Sequence, residues 1–253
     1  AHNDGSFGED SDEAVIKCGN YTGNGSATGP EIDLGFEPQF ILVKLATDAD
    51  GLTGPWYLQD AMRNGEVTSN VTNALAANTN SNESATAPNL GVTATGFQPR
   101  STSSYVNRNG STYIYIAIRR PHKAPEAGTE VFASQDGRSA SDGRAIQSTY
   151  TSGFPVDMIM RHTKATDSTR TVVFDRLRGQ KYLLSHGNAT EAAGSFILFD
   201  DMDGVYRSSV GANSGVFAHM FRRAPGFFDI VAYNGSNSAQ NISHNLGVKP
   251  ALI

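Results

Sequence analysis

The chain has 253 residues, 38% of them hydrophobic and 18% charged, which is a globular composition with a polar, largely uncharged surface rich in Asn, Ser, Thr and Gly. The net charge is −5, but residues 1–17 alone carry −4 (Asp4, Glu9, Asp10, Asp12 and Glu13 against Lys17), so the rest is nearly neutral and lacks the clustered Lys and Arg that would grip nucleic acid. A single Cys18 rules out an internal disulfide and a cysteine-based zinc site, and no apolar run reaches the roughly 18 residues of a transmembrane helix.

Residues 1–17 read as an acidic N-terminal extension, with no apolar stretch that would make a signal peptide. The chain does not begin with Met and ends in a strand-like run, so it is expected to be a piece of a longer protein. After the extension, strand signals dominate. Phe40–Leu45, Thr112–Arg120, Val156–His162, Arg170–Asp175, Ser195–Asp201, Gly215–Arg223 and Phe227–Asn234 are short and β-branched or aromatic, and are bounded by Gly, Asn, Asp or Pro. In "TYIYIAIRR", Tyr113, Tyr115 and Ala117 face one way and Ile114, Ile116 and Ile118 the other, the period of a strand with two different faces. Gly54–Gly65 could hold one helical turn, residues 66–88 read as a long surface loop, and residues 121–142 as a Pro/Gly/Ser/Ala linker.

The chain repeats itself. "LGFEPQFILVKLAT" (Leu34–Thr47) aligns with "SGFPVDMIMRHTKA" (Ser152–Ala165), and both with "LGVKPALI" (Leu246–Ile253). The stretches that follow pair Asp60 with Asp175 and Arg63 with Arg178, and each unit closes on a strand ending in two arginines, Arg119-Arg120 and Arg222-Arg223. The expected organisation is a unit over 18–120, the linker over 121–142, a second unit over 143–224 and a third, truncated one over 229–253. Gly35 and Gly153 read as turn glycines before a strand. The Asp60–Arg63 and Asp175–Arg178 spacings read as local ion pairs that pin a turn. The fold class expected is all-β, in tandem sandwich-like units of jelly-roll or lectin-like type.

Three stretches together, "YTGNGSATGPEIDLGFEPQFILVK" (Tyr21–Lys44), "FDRLRGQKYLLS" (Phe174–Ser185) and "TYIYIAIRRP" (Thr112–Pro121), resemble a repeat family of tail and other virion structural proteins of bacteriophages. The likeness spans most of 18–253. It departs from the family pattern at Trp56–Gly65, where Asn64 stands for the Gly of Phe-Asp-x-x-Arg-Gly. The resemblance implies a β-rich virion component assembled in the host cytoplasm, a tail fibre or appendage segment that is usually trimeric, with other virion proteins and a host-surface glycan or protein receptor as partners. It implies neither a cofactor nor catalytic residues.

The residues themselves offer no enzyme motif. There is no G-x-S-x-G elbow, P-loop or H-E-x-x-H, and no two of the six histidines are closer than 24 residues. "DDMDG" (Asp200–Gly204) and "DADG" (Asp48–Gly51) lack EF-hand spacing and read as polar turns. Trp56 and Tyr57, beside Gly54-Pro55, read either as a core plug or as an exposed aromatic pair that contacts a glycan. The expectation is therefore a non-enzymatic phage appendage segment contributing to host attachment. A capsid decoration protein, a lectin-like module and a polysaccharide depolymerase with a carboxylate pair are the alternatives.

Overall fold

The computed structural model describes residues 14–48, 50–63, 71–136, 149–163, 171–185, 187–194, 197–207, 216–233 and 235–253. The chain divides into two compact modules, residues 1–122 with 231–245 and residues 123–230 with 246–253. Module one holds β1 (Ile16–Thr22), β2 (Ile32–Asp33), β3 (Pro38–Thr47), β4 (Trp56–Asp60), β5 (Val71–Ala76), β6 (Ser84–Pro88), β7 (Leu90–Val92), β8 (Gly96–Pro99) and β9 (Thr112–Arg119). Module two holds β10 (Phe132–Asp136), β11 (Thr149–Thr151), β12 (Met158–Thr163), β13 (Thr171–Asp175), β14 (Lys181–Leu184), β15 (Ala192–Ala193), β16 (Ile197–Leu198), β17 (Gly204–Arg207) and β18 (Val216–Phe221). Among the described residues the only helix is one 3₁₀ turn, Gly128–Glu130, and no helix is long and apolar enough to cross a membrane. The protein is all-β.

Each module is a six-stranded sheet facing a three-stranded one. The orders are β1-β9-β3-β4-β5-β6 with β2-β8-β7 in module one, and β10-β18-β12-β13-β14-β15 with β11-β17-β16 in module two. Adding nine to each strand number of module one reproduces module two, strand for strand. The pairings agree residue by residue. Phe40 lies opposite Asp60 and Ile118, as Met158 lies opposite Asp175 and Phe221. Arg119 N donates to Val15 O, as Arg222 N donates to Val131 O.

The cores obey the same plan with compensating residues. In module one Ile41, Val43, Tyr113 and Tyr115 from the large sheet meet Ile32, Leu90 and Phe97 from the small one. In module two Ile159, Phe174, Ala218 and Met220 meet Tyr150, Ile197 and Val205. The register pair Ile32–Phe97 becomes Tyr150–Val205, so the large side chain changes strand while the pair stays bulky. Such volume-conserving exchange is what a close-packed core tolerates.

Four sequence expectations are corrected. Residues 121–142 are not a linker throughout: β10 lies inside them and pairs with β18 as the counterpart of β1, so module two begins earlier than 143. Residues 137–148, which span the end of that interval, lie outside the described residues. β1 likewise begins at Ile16, inside the expected extension 1–17, whose residues 1–13 are not described. Residues 66–88 contain the β5–β6 hairpin rather than one loop; its inward positions are the small Thr72 and Ala74, which give no hydrophobic alternation to read. Trp56–Asp60 is a strand, and a helical turn is absent there.

Phe227–Asn234 is not a strand over its described residues. Gly226, at φ 72°, turns the chain so that Ala224 bridges Phe228, and Phe228 rests on Phe221 with ring centroids 5.5 Å apart. Gly247 has φ 68°, close to the 75° of Gly35 and 85° of Gly153, so the repeated turn recurs at 246–253, but among the described residues of 229–253 no strand forms.

Candidate functional site

The turn that opens each long strand needs glycine. Gly35 and Gly153 sit in the left-handed region, and the Asp33 carboxylate accepts a hydrogen bond from Gly35 N at 2.9 Å. At the same end of these sheets the repeated acid and arginine meet. Arg63 Nε lies 2.6 Å from Asp60 Oδ2, and Arg178 Nε lies 2.8 Å from Asp175 Oδ2. Each arginine has a second acid that sequence reading missed, Glu83 at 2.7 Å and Glu191 at 3.9 Å, each one residue before a short edge strand, β6 or β15. These triads tie the β4–β5 and β13–β14 turns to the sheet edge. They are structural uses of charge.

The opposite end of module one has a different character. Three connections emerge there together, residues 23–31, 48–55 and 100–111. Gly23 N donates to Ser111 O and Gly110 N to Gly23 O, each at 2.9 Å. Asn107, fully buried, accepts from Asn24 N through Oδ1 at 3.0 Å and donates through Nδ2 to Ser26 O at 2.7 Å. Two core tyrosines reach up to fix the third connection. Tyr21 OH donates to Val106 O at 2.6 Å, and Tyr113 OH donates to Ser104 O at 2.6 Å while accepting from Arg108 N at 2.8 Å. Such a network holds a loop to one shape.

Asp48 binds the second connection to the third. Its carboxylate accepts from the Ser111 hydroxyl at 2.6 Å and from Asp50 N and Leu52 N, and Arg108 spans it and Asp50. The Ser111 hydroxyl above all, then the two N–H groups and Arg108, hold the Asp48 carboxyl below the usual carboxylate range against the opposing effect of burial. The folded chain therefore takes up this proton at lower pH than the unfolded chain. The resulting stabilisation is complete at neutral pH and is lost as pH falls through the ordinary aspartate value toward the depressed one. Ser111→Ala is expected to lower the melting temperature of module one at neutral pH and to flatten its decline in acid, measured by calorimetry across that range.

On this braced end sits Tyr105, 41% exposed and stacked on Tyr57 at a centroid distance of 5.8 Å and an interplanar angle of 30°. Gly54 allows the approach, since a Cβ there would lie 3.2 Å from the Tyr105 ring. Leu52 beside it is exposed, and Arg108 and Asp50 flank the loops. Trp56 is not part of this pair. It neighbours Tyr57 on β4, so it projects to the opposite face of the sheet, in register with Lys44, where it is half-buried and outside the core cluster. The structure thus separates Trp56 from Tyr57 and brings Tyr57 to Tyr105, a lone aromatic directly after the run Ser101–Ser104 that sequence reading passed over.

Module two repeats the scaffold without the aromatic pair. Val172 and Thr171 stand at the positions of Tyr57 and Trp56. Its three corresponding connections, residues 137–148, 164–170 and 208–215, contain no aromatic residue and lie outside the described residues. Among the described histidines, His162 Nδ1 contacts Thr171 Oγ1 at 2.8 Å and His219 stacks on Phe132; His2 and His186 lie outside the described residues. Among the described residues no three His, Cys, Asp or Glu side chains are placed to hold a metal ion.

A family model described as a domain of unknown function (DUF7483) matches residues 11–121. That interval runs from just before β1 to just after β9, so the matched domain is one whole nine-strand module. No curated protein and no solved structure matches the chain.

Proposed function

We propose that the chain is a non-enzymatic segment of a bacteriophage tail fibre or related appendage, and that it contributes to host attachment through the Tyr57–Tyr105 end of module one. The observation that carries this reading is the asymmetry of the duplication. The scaffold is copied strand for strand, but the stacked tyrosine pair, with Tyr105 exposed, belongs to module one, and the corresponding connections of module two contain no aromatic residue in their sequence. Tandem repetition with one equipped copy suits a spacer-and-contact element, and copies along a fibre raise effective concentration without tight individual sites. The resemblance of the Tyr21–Lys44 and Phe174–Ser185 stretches to phage virion repeats supplies the setting. The ligand class that suits the site is a neutral saccharide, whose C–H faces stack on tyrosine rings while Arg108, Asp50 and nearby main chain offer polar contacts.

The test is titration of the full chain against a panel of bacterial surface polysaccharides. Binding to at least one is expected, and Tyr105→Ala should weaken it about 10-fold, the scale of a single aromatic anchor. Binding that is indifferent to Tyr105→Ala, or no binding across the panel, overturns the role of this site. Antibody labelling of intact virions tests the setting separately: label on tails supports the appendage, and label on heads assigns capsid decoration instead.

A further inference from the structure

We propose that Arg100 is a specificity-determining residue of module one's loop end, where it takes the carboxylate of an acidic sugar in the same saccharide chain that stacks on Tyr105. Two arginines stand at that end. Arg108 is engaged by Asp48 and Asp50. Arg100 opens the connection that carries Tyr105, and its Nε is buried without a hydrogen-bond partner. Among the described residues no carboxylate lies within ion-pair distance of it. Burial lowers its pKa, and the more distant charge of Glu31 offsets this only in part. A guanidinium left partly desolvated and unpaired is unfavourable, and an incoming carboxylate, which matches its fork, relieves that. The residue as a whole is half-buried rather than sealed, so a ligand can reach it.

The root of this side chain is fixed. Arg100 N donates to Asn89 O and Gly29 N to Pro99 O, each at 2.8 Å, so the backbone there is clamped from two sides. Asn89, fully buried, accepts through Oδ1 from Gln59 Nε2 at 3.1 Å. Gln59 follows Tyr57 by two residues on β4 and so shares its face. Arg100 and Tyr57 are thus linked through one buried amide pair, and Tyr105 lies on the connection that Arg100 opens. Module two departs from this plan at the same places. Phe174 holds the register position of Gln59, and Ser208 follows Gly204 in sequence as Arg100 follows Gly96. The unpaired guanidinium belongs to the copy that has the tyrosine pair.

Glu31 selects the kind of anion. It is exposed and directly precedes β2. Extending the β2–β8 register places it opposite Gln98 and diagonal to Arg100, a spacing that long side chains bridge. A bare anion on Arg100 would be repelled by that carboxylate. A sugar acid instead offers a carboxylate to Arg100 and hydroxyl donors to Glu31 at once. The inference rests on the saccharide reading of the Tyr57–Tyr105 pair and extends the same ligand: a chain with a neutral ring at the tyrosines and an acidic residue at Arg100.

Titration of the full chain with sodium glucuronate, glucose and sodium acetate, following the Arg100 Nε–H signal by NMR, tests it. A saturable shift at millimolar glucuronate is expected, absent with glucose, with acetate binding about 10-fold more weakly for want of the hydroxyl contacts. Arg100→Met should abolish the response of the Glu31 and Gln98 amides, and Arg100→Lys, which keeps the charge but not the fork, should retain part of it. No shift with glucuronate, or acetate binding as tightly as glucuronate, overturns the proposal. Should Arg100→Met disturb folding, the three titrations of the unaltered chain still decide. The two readings fail separately. Polysaccharide binding that depends on Tyr105 without a glucuronate response at Arg100 overturns this inference alone. A glucuronate response together with polysaccharide binding indifferent to Tyr105→Ala overturns the tyrosine site alone.

Discussion

Gly204→Ala is expected to prevent module two from folding stably, and Gly96→Ala to do the same to module one. A Cβ at Gly204 would lie 1.9 Å from Tyr150 O, and one at Gly96 the same 1.9 Å from Ile32 O. The obstacle is a main-chain carbonyl of the neighbouring strand, β11 or β2, and cannot rotate away. Relief requires the small sheet to separate where Ile32–Phe97 and Tyr150–Val205 close the core, so the expected cost is about 3 kcal/mol or more, at or beyond the top of the usual range for overpacking. Gly35→Ala and Gly153→Ala are the controls. Nothing lies within 4 Å of a Cβ at either, but φ is 75° and 85°. Strain alone should cost about 1–2 kcal/mol, and Asn, which tolerates that region, should cost less than Ala. Urea unfolding followed by tryptophan fluorescence reads module one, where Trp56 is the only tryptophan, and calorimetry reads both. A Gly96→Ala variant no less stable than Gly35→Ala would show that the small sheet can give way.

These glycines mark the limit of what the sequence discloses. Gly35 and Gly153 are legible because a Leu- or Ser-Gly-Phe signature precedes an apolar strand in both copies. Gly96 and Gly204 open strands of four residues each, and what they touch is a carbonyl more than fifty positions earlier in the chain. The same division holds for the elements. β9 and β3 announce themselves by alternation and β-branched runs, and the duplication is visible in their repeated endings. β5 and β6 are built mostly of small Thr, Ala, Ser and Asn, and β10 (Phe-Ala-Ser-Gln-Asp) buries none of its residues fully, so a hydrophobic period has little to register. At the loop end, Tyr57 was legible as an aromatic beside a turn, but its partner Tyr105 is joined to it only by the hydrogen-bonded fold of residues 100–111. The acids Glu83 and Glu191 left a faint trace, each preceding a Ser-Ala or Ala-Ala pair, that an alignment of the two copies down to their polar strands would have caught.

The charge buried in module two sets the second large effect. Asp157, 5% exposed, faces two arginines, Arg223 Nε at 3.3 Å and Arg176 Nε at 3.4 Å, and its other oxygen accepts from Arg223 N at 2.8 Å. Arg223 is 1% exposed, and Arg176 also donates to Phe199 O and Val156 O at 2.5 and 2.6 Å. Nearby Asp175 is buried too, and that burial raises its pKa despite Arg178 and Arg223, so it is a weaker counter-charge than its position suggests. Asp157→Ala therefore leaves two desolvated guanidinium groups short of an anion and should cost about 3–5 kcal/mol, the range for breaking a buried pair from one side. Asp157→Asn keeps the shape and an acceptor for Arg223 N, and should cost less. Adding Arg223→Met to Asp157→Ala should recover part of the loss, because removing both charges also removes the desolvation they required. That recovery separates electrostatics from packing: if the double variant were as unstable as the sum of the two single ones, Asp157 would be filling space rather than balancing charge. Module one offers the internal comparison. Ala61 stands where module two has Arg176, and Glu37 meets Arg120 at a looser 3.7 Å. Glu37→Ala should accordingly destabilise its module by less than Asp157→Ala destabilises the other, on one scaffold with the charge concentrated in one copy.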